Sequence, residues 1–206
     1  MFALVQDNTI TKTLSGNRGI TIGDIQYPQN IFTLWSAAEK EAIGIYEVEY
    51  DNTNKKDEAW YINTNQSFAF ANDKVTGSYG SATAKAHADT TWTQEDSDDG
   101  LMPSDKSIGD IKTRGLKYNL IQTIKKQAAG ELQNTDWYVV RKADAGTAVP
   151  SAITTHRAAV RTKADEMETS ITNAADTPAL ETLYTFTEQE DGSVTRPLGE
   201  LPILDN

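Results

Sequence analysis

An α+β fold with strands and helices segregated along the chain is predicted by three observations. Short alternating or aromatic runs, punctuated by turn residues, fill residues 1–92. An acidic, apolar-poor stretch, Glu95-Asp96-Ser97-Asp98-Asp99-Gly100, then breaks the pattern. Beyond it, apolar residues recur at helical spacing. The expected organisation is a β-rich N-terminal domain (1–92) with one short helix and an acidic linker (93–110). A helical domain (111–188) follows, built as a hairpin plus a short third helix, and then an irregular tail (189–206).

In the β-rich part, Phe2–Val5 and Thr9–Leu14 flank Gln6-Asp7-Asn8, which predicts a hairpin, because Asp and Asn tolerate the left-handed backbone of a tight turn. Ile20–Ile25 alternates as a half-buried strand and stops at Tyr27-Pro28. Ser36-Ala37-Ala38-Glu39 has the spacing of a capping box, with Gly44 as the stop for the short helix. Ile45–Tyr50 reads as a strand, and Ser67–Phe70 with Lys74–Tyr79 as a second hairpin around Ala71-Asn72-Asp73. The aromatics Trp60, Tyr61, Phe68, Phe70 and Tyr79 are expected to build the core, with a partner- or glycan-binding patch as the alternative.

In the helical part, Leu116, Leu120, Ile124, Ala128 and Leu132 form one apolar stripe. A second helix should begin at Ser151, with Ile153, Val160, Ala164, Met167 and Ile171 on its inner face. A third should begin at Thr177-Pro178.

The net charge of -11 argues against nonspecific nucleic-acid binding. It is unevenly placed: residues 111–165 sum to +6 and residues 166–206 to -8, so the acidic end can neutralise the basic block within the chain. With no Cys, disulfides, thiolate metal sites and Cys nucleophiles are excluded. His87 and His156 lack a second His at metal-binding spacing, and His156 reads as a structural residue beside the inner stripe. The acidic stretch fits a calcium loop only until the last position, where Lys106 stands in place of the bidentate Glu. No phosphate-binding glycine loop and no nucleophile elbow is present. No run approaches membrane-spanning length, and Met1–Asp7 does not read as a signal peptide. The expectation is a non-enzymatic protein with no catalytic residues, no cofactor and no metal, contacting neither nucleic acid nor membrane.

Two motifs carry a resemblance. Leu132-Gln133-Asn134-Thr135-Asp136-Trp137 is followed by Ile153-Thr154-Thr155-His156-Arg157-Ala158-Ala159-Val160-Arg161. The pair resembles the phage tail assembly chaperone family, in which a helix ending Leu-x-x-Thr-Asp-Trp is joined by a loop to a helix reading Trp-x-x-Tyr-Arg-x-x-Leu-Arg. Both arginines match, while Ile153 and His156 replace the family's Trp and Tyr. The whole chain also looks like proteins of marine tailed phages. The resemblance implies a tailed-bacteriophage protein acting by protein–protein contact, as a tail- or fibre-associated structural component or a tail assembly chaperone. Capsid decoration or host-surface binding is the alternative. It implies other phage structural proteins as partners, several copies in an assembly, and a place in the virion or in the host cytoplasm during assembly. The candidate interaction residues are Asp136, Trp137, Arg141, Arg157 and Arg161. Trp137 is expected to plug the open end of the hairpin. Arg157 and Arg161, one helical turn apart, are expected to reach Asp136, Asp144 or a partner's carboxylate. An intramolecular clamp and a partner contact are equally open for that pair.

Overall fold

Asp7 and Asn8 adopt φ of 50° and 58°, and Asn72 and Asp73 adopt 52° and 56°. Two successive positive-φ residues make the tight turn whose twist matches paired strands. In the computed structural model, which describes residues 1–204, these turns close the hairpins β1 (Phe2–Gln6)/β2 (Thr9–Leu14) and β7 (Ser67–Ala71)/β8 (Lys74–Ser78). Between them in sequence lie the small hairpin β3 (Ile20–Ile22)/β4 (Ile25–Tyr27) and two short helices, α1 (Ile31–Leu34) and α2 (Ala37–Glu41). Then come β5 (Ile45–Asp51) and the two-residue β6 (Tyr61–Ile62). The main sheet has the order β2-β1-β5-β8-β7, antiparallel throughout except at β5–β8.

Strand β1 organises this half because it is buried on both faces. Leu4 packs with Ile20, Ile31, Phe32 and Ile45 on one side, and Ala3 and Val5 pack with Val48 and Val75 on the other. Alternation along a strand delivers both sets from three consecutive residues, Ala3 to Val5. The capping box at α2 forms as expected: the Ser36 hydroxyl accepts from the Glu39 amide at 3.3 Å, and the Ser36 amide donates to Glu39 Oε2 at 2.8 Å. The expectation of one helix here becomes two, since Pro28 to Asn30 launch the single-turn α1 before the box begins. Trp60 and Tyr61 are buried, and Phe68 and Phe70 pack against the Ala3 cluster, so these four aromatics are core.

The chain divides into two compact units at Thr83/Ala84, where β9 (Thr83–Ala84) stands, and not across residues 93–110. The reason lies at the start of α4 (Leu116–Gln133). A helix leaves its first amides without intrahelical partners. Here Leu116 N donates to Ala86 O at 3.0 Å, Lys117 N to His87 O at 3.0 Å, and Gly115 N to Asp89 Oδ1 at 2.8 Å. Thr177 Oγ1 also donates to Lys85 O at 2.7 Å. Residues 85–89 therefore belong to the helical unit, because the first amides of α4 and the Thr177 hydroxyl at the start of α7 bond to them.

The expected acidic linker is instead a folded insert within the helical unit. Strands β10 (Thr90–Thr91) and β11 (Ile111–Thr113) pair, and Trp92 exchanges backbone bonds with Asp110 and Gly109. Between them α3 (Gln94–Asp98) carries a capping box between Thr93 and Asp96, and Asp96 also pairs with Lys112. What reads as an apolar-poor spacer is held by polar side-chain-to-backbone bonds.

The remaining elements are helices α5 (Asp136–Ala145), α6 (Ser151–Asn173) and α7 (Thr177–Tyr184), then β12 (Thr187–Glu188) and β13 (Val194–Thr195). Helices α4 and α6 run antiparallel, since Lys117 reaches the Thr172 carbonyl while Arg157 reaches that of Leu132. All five expected inner residues of α6 are buried, and Ile124 and Ala128 face them from α4. Lys125–Glu168 and Lys163–Glu166 link the basic and acidic blocks. The tail expected to be irregular (189–206) contains β13, which pairs back onto β12 just before it, and the buried Leu198, whose amide donates to Leu183 O at 3.0 Å. Residues 205–206 lie outside the described part.

A Cβ on Gly115 would stand 2.3 Å from the Ala88 carbonyl carbon and oxygen, so the α4 terminus and the 86–89 segment can meet only at glycine. Gly115→Ala should lower the stability of the helical unit by about 1–3 kcal/mol through forced displacement of backbone, read as an earlier thermal melt of the helical circular-dichroism signal. The carboxyl of Asp96 is held at about 2, well below its ordinary 3.8, first by Lys112 and then by the Thr93 amide and hydroxyl. A depressed folded-state value means that this stabilisation is complete above 3.8 and lost as pH falls through about 2. The Thr93 amide resonance should therefore titrate near the lower value. A midpoint near the ordinary one would show that the α3 cap does not form.

Candidate interaction site at the α4–α5–α6 junction

The candidate residues converge where α4 ends. Thr135, 1% exposed, donates from its hydroxyl to Leu132 O at 2.9 Å, turning the chain out of α4. The loop expected after this point does not form. Asp136 opens α5 instead, a position where a carboxylate meets the positive end of the helix. Gly146, at φ 67°, closes it by donating to Lys142 O at 3.1 Å. The acidic start and glycine stop were the sequence signals for this helix. The motif's helix–loop–helix pattern had assigned the segment to a loop.

Arg157, on α6, is 8% exposed and is the clamp of the junction. Its Nη1 donates to Leu132 O at 2.8 Å and to Thr135 Oγ1 at 2.7 Å, and lies 2.8 Å from Asp136 Oδ1. One cationic nitrogen thus satisfies a carbonyl at the end of α4, a buried hydroxyl and a carboxylate at the start of α5. Charge-assisted bonds of this kind are the stronger ones, and leaving a buried partner unmet is costly. Of the two readings open for the arginine pair, Arg157 takes the intramolecular one. Arg161 does not share it. It is exposed, makes no ion pair among the described residues, and donates only to Arg157 O at 3.4 Å.

Trp137 is not the plug of the hairpin. It is 51% exposed, because the new helix carries it outward. Its ring lies 4.1 Å from that of Tyr138, and the Arg141 guanidinium sits 4.5 Å from the Trp137 ring centre and 5.5 Å from that of Tyr138. Residues four apart on a helix are neighbours, which accounts for the Trp137–Arg141 stack. His156, also on α6, is buried beside the inner stripe.

Two features went unread in the sequence. Helix α5 buries none of its ten residues, and Val139 and Val140 are exposed at 43% and 66% beside Trp137. On the side toward α6, a groove of about 320 Å³ is lined by Val139, Lys142, Ala148, Val149, Thr154, Arg157 and Arg161. Among the described residues no group of three or more carboxylate or histidine side chains converges as a metal site would require, and no helix is long and apolar enough to cross a membrane.

These positions separate three roles by mutation. Arg157→Ala removes the cation shared by the Thr135 hydroxyl, the Leu132 carbonyl and the Asp136 carboxylate, leaving the first two only their bonds to each other and to the turn backbone, and should cost about 2–4 kcal/mol. Arg161→Ala, exposed and unpaired, should stay within about 0.5 kcal/mol. Trp137→Ala should cost about 1 kcal/mol, far less than loss of a core aromatic. Thermal melts followed by circular dichroism give the ranking, and an Arg161 variant as unstable as the Arg157 variant would refute the division.

In comparisons with known proteins, no family model, no curated protein and no solved structure matches this chain.

Proposed function

We propose that this is a non-enzymatic protein of a tailed bacteriophage that acts by protein–protein contact in the tail, as a structural component or as an assembly chaperone, and that α5 is its contact element. The observation that carries the reading is the state of α5. A helix of ten residues is marginal on its own in water. This one buries no residue, yet it displays Trp137 and Val140, three positions apart on one face, with Val139 beside them. Its first residue is held by the Arg157–Asp136 ion pair, while Trp137, Val139 and Val140 are left exposed. Large aromatic and arginine side chains on an exposed, rigidly anchored element are the composition from which strong interface anchors are drawn. The tail-chaperone resemblance of the flanking motifs supports the assignment to the tail, and the absence of any motif for covalent or phosphate chemistry supports a contact role.

Val140→Asp places a charge on this face without touching a buried residue. It should leave the melting temperature within a few degrees of wild type and sharply reduce the yield of tailed particles in a complementation assay. Normal particle yield from a folded Val140→Asp, Trp137→Ala double variant would defeat the reading. Mass spectrometry of purified particles then separates the two forms of the role: a fixed copy number for a structural component, absence for a chaperone.

A further inference from the structure

The groove behind α5 has a chemical character of its own. Its apolar part comes from Val139, Ala148 and Val149, and its charged part from Lys142, Arg157 and Arg161. Arg157 is committed, its guanidinium held by Asp136, Thr135 and Leu132. Lys142 and Arg161 are not. Neither forms an ion pair among the described residues, and no carboxylate lines the groove. Asp144 is two positions from Lys142 on α5, a spacing at which side chains do not face each other. Elsewhere in this unit the cations Lys112, Arg114, Lys125, Lys163 and Arg196 are each matched to a carboxylate. Among the described residues Lys117, Lys126 and Arg141 also lack a carboxylate partner, so what sets Lys142 and Arg161 apart, in a chain of net charge -11, is that the two flank one apolar groove.

We infer that this groove receives an acidic peptide segment of the partner protein, its carboxylates meeting Lys142 and Arg161 and an apolar side chain seated against Val139 and Val149. The inference rests on the contact reading above and specifies the chemistry of the partner. The volume of about 320 Å³ suits one or two side chains, not a domain surface. Charge complementarity selects the segment and rejects basic ones, while the apolar floor supplies the burial that a surface ion pair alone lacks.

The test uses the full chain and three short, fluorescently labelled peptides read by anisotropy. One carries Glu and Leu among Gly and Ser, the second has Lys for each Glu, and the third has Ser for each Leu. The Glu/Leu peptide should bind at least about tenfold more tightly than either control, with affinity falling as salt rises. The charge-reversed variant Lys142→Glu with Arg161→Glu should lose that peptide and prefer the Lys/Leu peptide. Lys142→Arg with Arg161→Lys should retain the wild-type preference. Both positions are exposed and unpaired, so unchanged melting curves are expected and confirm that the variants are folded. Equal binding of the Glu/Leu peptide by wild type and charge-reversed protein, no binding of it at all, or indifference to Leu→Ser would each overturn the inference. If any of these occurs while Val140→Asp still blocks particle formation, the contact role of α5 stands and only the acidic-segment assignment falls.

Discussion

The guanidinium of Arg157 is the constraint on which the helical unit's working surface depends. Where the chain leaves α4, the Leu132 carbonyl accepts from the Thr135 amide and hydroxyl of the turn itself, and a helix beginning at Asp136 presents amides with no helical partner. Between them stands Thr135, too buried to reach water. A single buried cation from α6 answers the Leu132 carbonyl, the Thr135 hydroxyl and the Asp136 carboxylate together. That tie is made at the first residue of α5; along the rest of the helix Tyr138 and Arg141 are half-buried, while Trp137, Val139 and Val140 stay exposed. The exposure of Trp137 and Val140 and the groove between α5 and α6 both follow from where α5 is fastened.

The opposite end of α4 shows the same logic worked by backbone. Its first amides are met by Ala86, His87 and Asp89, and the meeting is close enough that Gly115 cannot carry a side chain. The carboxyl of Asp89 is held below its ordinary range, first by the Gly115 amide and then by Arg114, so it serves the terminus as an anion. The helical hairpin is thus tied at both ends of α4 by segments remote in sequence. Its middle is held by an ordinary apolar seam of Ile124 and Ala128 against the α6 stripe.

Electrostatics then distinguish surface that is finished from surface that is not. Five of the ten cations at 111–165 are paired inside the unit, through Lys112–Asp96, Arg114–Asp89, Lys125–Glu168, Arg157–Asp136 and Lys163–Glu166. A segment count of charge cannot separate the arginine that closes the α4–α5 junction from the one beside it that closes nothing. Arg157 and Arg161 belong to one motif and one helix, and differ only in what the fold places opposite them.

The sequence by itself determined the segregated α+β class, both tight hairpins of the main sheet, the capping box at Ser36–Glu39 and the inner faces of α4 and α6. Each rests on information local to a few residues: turn backbones that Asp and Asn tolerate, a side chain reaching its own helix terminus, and periodicity that repeats within a turn. Only the tertiary structure decided the boundary at Thr83/Ala84, the folded state of residues 93–110, the burial of Leu198, and the outward turn of Trp137 on a helix that the motif had assigned to a loop. Each of these depends on partners far apart in the chain — Gly115 with Asp89, Asp96 with Lys112, Leu198 with Leu183, Arg157 with Leu132. A composition window counts such residues as polar or flexible, and only their remote partners show where the chain is held.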